Sequence, residues 1–240
     1  LCRTPDIHGD RIVVSAEGDL WRGFLSTGLA MRLTTFEGGE WNPRFSPDGK
    51  WIAFTGEYDG GQDVYVMPAD GGAPRRVTYD PTGAEMEGWT PDGAKILFRS
   101  GRLLPQTGPR LWLVPPAGGL PEPLPMERAA QGSFAPDGKR LAFCRLPLEN
   151  HNWKRYKGGM ANHVWIADLA QKTFRRINEE IINEQYPVWV GEDVYYRALS
   201  GDTMPRPIAS NPTAIEDVPR LSPDGRWVAF CTDESGRKEV

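Results

Sequence analysis

Residues 46–54 read Ser46-Pro47-Asp48-Gly49-Lys50-Trp51-Ile52-Ala53-Phe54. Proline presets φ in a turn, aspartate caps the nearby amides and glycine accepts a positive φ. The apolar run that follows suits a strand buried on both faces. The pattern returns as Thr90-Pro91-Asp92-Gly93 before Ile96-Leu97-Phe98, and as Ala135-Pro136-Asp137-Gly138 before Leu141-Ala142-Phe143. It returns again as Ser222-Pro223-Asp224-Gly225 before Trp227-Val228-Ala229-Phe230. Glycines 49, 93 and 138 are 44 and 45 residues apart, and glycine 225 follows 87 residues later, about two periods. Two degenerate turns, His8-Gly9-Asp10 and Val190-Gly191-Glu192, complete six units with a mean spacing of about 43 residues.

Within a unit, one apolar strand enters the turn, as in Pro43-Arg44-Phe45 or Pro219-Arg220-Leu221, and a second leaves it. A third follows at Leu20-Trp21, Val64-Tyr65-Val66, Leu111-Trp112-Leu113 and Val164-Trp165-Ile166. A fourth is marked by Arg75-Arg76-Val77-Thr78 and Phe174-Arg175-Arg176-Ile177, with turns such as Gly71-Gly72 and Gly118-Gly119 ahead of strand four. Four antiparallel strands in roughly 40–45 residues is the period of a propeller blade. The expected fold is therefore all-β, a six-bladed β-propeller of four-stranded antiparallel blades, with residues 1–240 as one domain. Val240 lies 15 residues after Gly225, just as Val64 lies 15 after Gly49. The last blade is thus expected to be incomplete, and the chain a fragment of a larger multidomain protein. Unit four carries an insertion at about Leu148 to Met160, and unit five is short, with a break at Leu199-Ser200-Gly201 before Pro205-Arg206-Pro207.

Composition narrows the function classes. The chain has 27 Gly and 22 Pro, about a fifth of its 240 residues, beside 9 Trp, 7 Tyr and 9 Phe. That combination suits short strands and tight turns rather than a disordered linker. The net charge of −4 disfavours nucleic acid as a partner. No run approaches 18 apolar residues and no signal-peptide h-region is visible, so neither a membrane span nor secretion is expected. Three cysteines at these spacings fit a reducing, cytoplasmic setting. Cys144 and Cys231 fall at equivalent ends of strand two in non-adjacent units, where a buried small hydrophobe is expected rather than a disulfide.

Chemistry is sparse. There is no Gly-x-Ser-x-Gly elbow, no Cys-x-x-Cys, no His-Glu-x-x-His and no phosphate-cradling glycine loop. His8 is expected to cap its own turn, and His151 and His163 flank the insertion without a triad pattern. Asp59-Gly60-Gly61-Gln62-Asp63 lacks the calcium-loop pattern and reads as a solvated hairpin tip. No catalytic residue, metal or cofactor is expected in this chain.

Several longer strings go beyond the generic repeat. Pro5-Asp6-Ile7-His8-Gly9-Asp10-Arg11-Ile12-Val13 with Gly18-Asp19-Leu20-Trp21 resembles the start of the first propeller of tricorn-type serine peptidases. So do Phe45 to Gly56 with Val64 to Ala69, and Trp153-Lys154-Arg155-Tyr156-Lys157-Gly158-Gly159 resembles that family's characteristic insertion. The likeness runs from about residue 4 to residue 200. It implies a large cytoplasmic, hexameric peptidase built from six- and seven-bladed propellers, a PDZ domain and two C-terminal catalytic domains. The propellers of such proteins filter or channel peptides, and the serine and histidine of catalysis lie in the C-terminal domains, so no catalytic residue is carried over.

The resemblance also implies a basic pair on a propeller loop that anchors a peptide carboxylate. Arg99-Ser100-Gly101-Arg102 is the nearest counterpart, although its arginines are not adjacent. Arginine suits the task because its planar fork holds a carboxylate bidentately. Otherwise Arg99 and Arg102 are solvated loop residues. The channel mouth is expected near strand one, from Trp41, Asn42, Arg44, Glu85, Glu87, Gln131, Tyr186 and Arg220. Arg44 and Arg220 hold one repeat position, five before the turn glycine. They line a polar funnel for a peptide, or else pair with carboxylates of neighbouring blades. The expected function is a non-catalytic propeller that guides or gates peptides, with peptides and the remaining domains or subunits of the parent as partners. Two rival classes remain open: a TolB-like protein-binding propeller, and the propeller cap of a prolyl-oligopeptidase-type hydrolase.

Overall fold

The Pro-Asp-Gly turns fix the geometry from which each blade grows. In a computed structural model, which describes residues 2–102, 108–147, 161–179, 183–199, 216–222 and 226–232, Gly49 has φ 68°, a value most side chains avoid. Its N–H donates to the Ser46 carbonyl at 2.8 Å. The Asp48 carboxylate accepts Ser46 Oγ–H at 2.6 Å and the Lys50 N–H at 3.1 Å. Those bonds hold Asp48 below the usual carboxylate range. Ser46 Oγ in turn accepts the Trp51 N–H at 3.0 Å and so starts the second strand. Thr90 and Ser222 repeat that last bond, to the N–H of Lys95 at 2.9 Å and of Trp227 at 3.0 Å.

Six antiparallel sheets follow in chain order. β1 (Cys2–His8), β2 (Arg11–Ala16), β3 (Asp19–Phe24) and β4 (Ala30–Arg32) form the first. β5 (Glu40–Phe45), β6 (Trp51–Gly56), β7 (Asp63–Pro68) and β8 (Arg75–Arg76) form the second. The third holds β9 (Ala84–Trp89), β10 (Ile96–Ser100), β11 (Arg110–Val114) and β12 (Glu122–Pro123). The fourth holds β13 (Gln131–Phe134), β14 (Arg140–Cys144), β15 (Val164–Asp168) and β16 (Thr173–Arg176). Two strands of each remaining sheet lie among the described residues: β17 (Asn183–Val190) with β18 (Asp193–Leu199), and β19 (Glu216–Leu221) with β20 (Val228–Thr232). The expected insertion at 148–160 and most of the break near 199–208 lie outside the described residues.

The first strands of successive sheets touch in a ring, β1 to β5, β9, β13, β17 and β19, and β19 returns to β1. That closed cycle is the six-bladed propeller. Its core lies between the blades. Ile52 and Phe54 on β6 pack toward Val13 and Leu20 of the first blade, whereas Ala53 packs toward Ile96 and Phe98 of the third. Leu97 faces the fourth blade with Leu141 and Phe143, and Ala142 and Cys144 face Trp189 and Val194 of the fifth. Because both faces of a blade are covered, its second strand is an unbroken apolar run rather than an alternation.

Two local expectations change. His8 does not cap its own turn: its Nε2 donates to the Pro47 carbonyl at 3.0 Å, tying blade one to the turn of blade two. Asp63 is not part of a solvated tip. It opens β7 and is 1% exposed. Its carboxylate accepts Thr78 Oγ1–H at 2.6 Å and the Asp80 N–H at 3.2 Å, and pairs with Arg76. Blade one repeats the pairing as Asp19 with Arg32. Cys144 is buried and in no disulfide among the described residues; the side chain of Cys231 lies outside the described residues.

Candidate functional site

The first strand of a blade lines the axis, and in five of the six it carries an irregularity. The register shifts at Thr4-Pro5 in β1, Asn42-Pro43 in β5, Glu87 in β9, Tyr186-Pro187 in β17 and Val218-Pro219 in β19. Thr4, Asn42 and Tyr186 sit at φ 47°, 52° and 53°. Such a bulge re-aims the side chain that follows it. Proline supports it because it has no N–H to give to the ladder.

Register makes the re-aimed residues comparable. Asp6, Arg44, Gly88, Ser133, Val188 and Arg220 each oppose the fourth residue after the turn glycine of their own blade. All six line one central cavity of about 330 Å³. Its rim takes a residue from the turn of every blade: His8, Pro47, Pro91, Pro136, Gly191 and Ser222. Trp89, Phe134 and Trp189 add apolar wall.

Charge at this shared ring position is one-sided. Asp6 of blade one lies between Arg44 of blade two and Arg220 of blade six in the ring, while the positions across from them are Gly88, Ser133 and Val188. Arg44 is 6% exposed. Burial, and then the like charge of Arg220, bring its guanidinium down to about 9, with Asp6 and Glu87 opposing the shift. Burial likewise pushes the Asp6 carboxyl up, against the pull of Arg44 and of the Phe45 N–H, which it accepts at 2.7 Å.

The expected site residues divide. Arg44, Glu87, Gln131, Tyr186 and Arg220 meet in the cavity. Gln131 Oε1 accepts the Tyr186 N–H at the bulge of β17, at 2.8 Å. Trp41 lines a different depression, of about 350 Å³, with Arg3, Ser15, Glu17 and Glu40. Asn42 is the left-handed residue of the β5 bulge, its N–H held by Thr4 Oγ1 at 3.2 Å. Arg99 belongs to β10 rather than to a loop, and pairs with Glu85, opposite it in the sheet, and with Glu87 at 3.5 Å. Arg102 pairs with buried Asp80 at 2.6 Å and lies over the rings of Phe98 and Trp112. Arg99 and Arg102 thus each hold carboxylates of their own neighbourhood. Among the described residues no cluster of three His, Cys, Asp or Glu side chains is placed to hold a metal.

The sequence does not mark Asp6 as a partner of Arg44. Its equivalence to Arg44 is hidden by the turn of blade one, where only Gly9 and Asp10 separate the paired residues His8 and Arg11. Counting back from the glycine therefore puts Asp6 at three and Arg44 at five.

A family model for the tricorn protease N-terminal beta propeller domain matches residues 1–204. Tricorn protease homolog 1 of Streptomyces coelicolor is 33% identical over 98% of this chain and 22% of its own length. The tricorn protease of Thermoplasma acidophilum is 30% identical over 96% of this chain and 23% of its own. The chain therefore spans about a fifth of the length of these two relatives. A crystal structure of the tricorn protease superposes with a TM-score of 0.78 at 27% identity, over the whole of this chain and 26% of that one. A putative TolB from Agrobacterium tumefaciens shares the fold, with a TM-score of 0.70 at 19% identity.

Proposed function

This chain belongs to the tricorn protease N-terminal β-propeller family, and from that premise we propose that it is the non-catalytic propeller of a tricorn-like serine peptidase. In this reading it guides or gates peptides on their way to or from a catalytic core located outside these 240 residues. The observation that carries the reading is the central cavity, rimmed by one turn residue from every blade and lined by re-aimed side chains of the first strands. A ring of blades leaves its axis open to whatever its first strands present, and here they present charge, aromatic wall and small residues together. A protein from Sulfurisphaera tokodaii, 25% identical over 68% of this chain and 84% of its own length, is named a putative tricorn-like protease N-terminal subunit. Its name supports a propeller that serves a peptidase as a separate part. A cytoplasmic setting and a homo-oligomeric parent belong to the same proposal; the buried Cys144, in no disulfide among the described residues, is compatible with a reducing compartment.

Gly88 provides the test. A Cβ built there meets nothing within 4 Å, and its backbone is not left-handed, so Gly88→Phe fills the cavity without straining β9. In the full-length protein, this plug is expected to slow turnover of peptides of ten or more residues several-fold. Turnover of a dipeptide-sized chromogenic substrate should stay unchanged. Equal turnover of long peptides with and without the plug removes the guiding role and leaves the propeller a structural part only.

A further inference from the structure

At the shared ring position five blades carry a side chain, and blade three has Gly88. A glycine inside a strand weakens it, and marks a bulge, a tight contact or the approach of a ligand. The bulge does not call for it: the matching bulges of β5 and β17 are followed by Arg44 and Val188. Its backbone is not left-handed, and a Cβ built there meets nothing within 4 Å. Gly132 in β13 is the contrast. A Cβ there would lie 2.8 Å from Leu111 Cδ1 and 3.3 Å from Leu97 Cδ2, so packing excludes a side chain. What Gly88 preserves is open space in the cavity wall. Trp89, Phe134 and Trp189 stand around that cavity, each also packed against an inter-blade core. Two of the rings are held in place: Trp89 Nε1 donates to the Arg44 carbonyl at 3.2 Å, and the Arg140 guanidinium lies 4.9 Å from the Trp189 ring.

We propose that the open space at Gly88 is a seat for one uncharged aromatic ring, of the size of a Phe side chain. The cavity of about 330 Å³ has room for it, since a cavity of roughly 150 Å³ holds benzene. Aromatic walls favour a ring in offset or edge-to-face contact. Arg44, one blade before Gly88, favours it over an aliphatic chain. Its Nη1 donates to the Pro43 carbonyl at 2.6 Å, a bond in the guanidinium plane that leaves the faces of that plane for a ring. Ionised side chains of either sign are disfavoured, because Asp6 and Glu87 line the same cavity as Arg44 and Arg220. The seat stands on this geometry alone. A peptide as the carrier of the ring rests on the function proposed above.

Titration calorimetry on the full-length protein, its serine nucleophile blocked with a fluorophosphonate, tests seat and carrier separately. A capped decapeptide of Gly and Ser with one central Phe is expected to bind about fivefold more tightly than the same peptide with cyclohexylalanine, the worth of one partly desolvated cation–π contact. Gly88→Leu fills the seat with an aliphatic side chain and should erase that ratio. Arg44→Met should erase it as well, while the cyclohexylalanine peptide still binds. The peptide-free probe is 3-phenylpropanamide. If it binds the wild type but not Gly88→Leu, and no decapeptide binds, the seat is upheld and the peptide reading removed. Equal affinity for the Phe and cyclohexylalanine peptides, lost on plugging with Gly88→Phe, upholds the peptide reading and overturns the aromatic seat. A preference for Phe that survives Gly88→Leu lies elsewhere and overturns it too, as does tighter binding of a central Glu or Lys. Should Gly88→Leu fail to fold, Gly88→Ala is expected to reduce the ratio, and the wild-type ratio needs no variant. Absence of binding by every probe overturns the proposal.

Discussion

Asp6 and Arg44 hold one repeat position and do opposite things there: one accepts a neighbour's amide, the other places a cation in a cavity. Asp63 shows the reverse, a residue whose charge is wholly structural. It is buried, accepts two hydrogen bonds and meets Arg76, which bonds Asp59 as well at 3.1 Å. Asp63→Ala removes one partner of a buried pair and leaves the Thr78 hydroxyl and the Asp80 amide without their acceptor. It is expected to lower stability by about 3 kcal/mol, the low end for such a deletion, because Arg76 keeps some water. Urea unfolding at pH 7 measures this, and a loss of less than 1 kcal/mol would deny the latch its role. None of this was legible in the string Asp59-Gly60-Gly61-Gln62-Asp63. Glycines and acids in a row describe a solvated tip equally well, and what buries Asp63 arrives from residues 76 to 80, a strand away.

The element that repeats most faithfully is the turn with its second strand, and it was also the most legible. Pro-Asp-Gly makes its hydrogen bonds within six residues, so local sequence suffices to specify it. The bulged first strand was less legible, because its re-aiming depends on where a register shift falls against a partner strand. The pair of residues 163 and 176 shows how an element tolerates variation. Blades one and two place Asp19 and Asp63 just ahead of the third strand's first apolar residue, each paired with an arginine of strand four. Blade four has His163 there, and Arg176 donates to its Nδ1 at 3.0 Å. Burial, and then Arg176, hold the imidazole below its ordinary pKa. The folded state therefore binds fewer protons than the unfolded chain. This contribution to stability is complete above the ordinary imidazole pKa of about 6.5 and is lost as pH falls below it. His163→Asp should recreate the pairing of blades one and two, raise stability at pH 7 by roughly 1 kcal/mol and remove this loss below pH 6.5. Thermal melts at pH 5.5 and 7.5 test it; an unchanged pH dependence in the variant would show that the histidine is not its source.

Over the whole molecule, stability is shared between neighbours, because each core layer is contributed by two blades and the ring returns through β19 to β1. No blade owns a core. Residues 1–240 are accordingly expected to unfold in one step, with calorimetric and van't Hoff enthalpies that agree. Two resolved transitions would divide the chain into independent units. The number of blades was countable from the turn glycines, whereas closure was not, since it depends on contacts between residues some 200 positions apart. The amides freed at or beside the bulges of β5 and β17 are caught by the blade before: Thr4 serves Asn42, Asp6 serves Phe45, Gln131 serves Tyr186 and Ser133 serves Trp189. A blade's sequence therefore encodes half of the next blade's solution. Repeats that look interchangeable are not. A gene cut and rejoined to start at another blade keeps every such neighbour, whereas exchanging blades two and three would set Phe45 after Gly88, which has no side chain to accept its amide. Evolution of this ring by shuffling single repeats is hindered, and divergence of adjacent repeats in matched pairs is favoured.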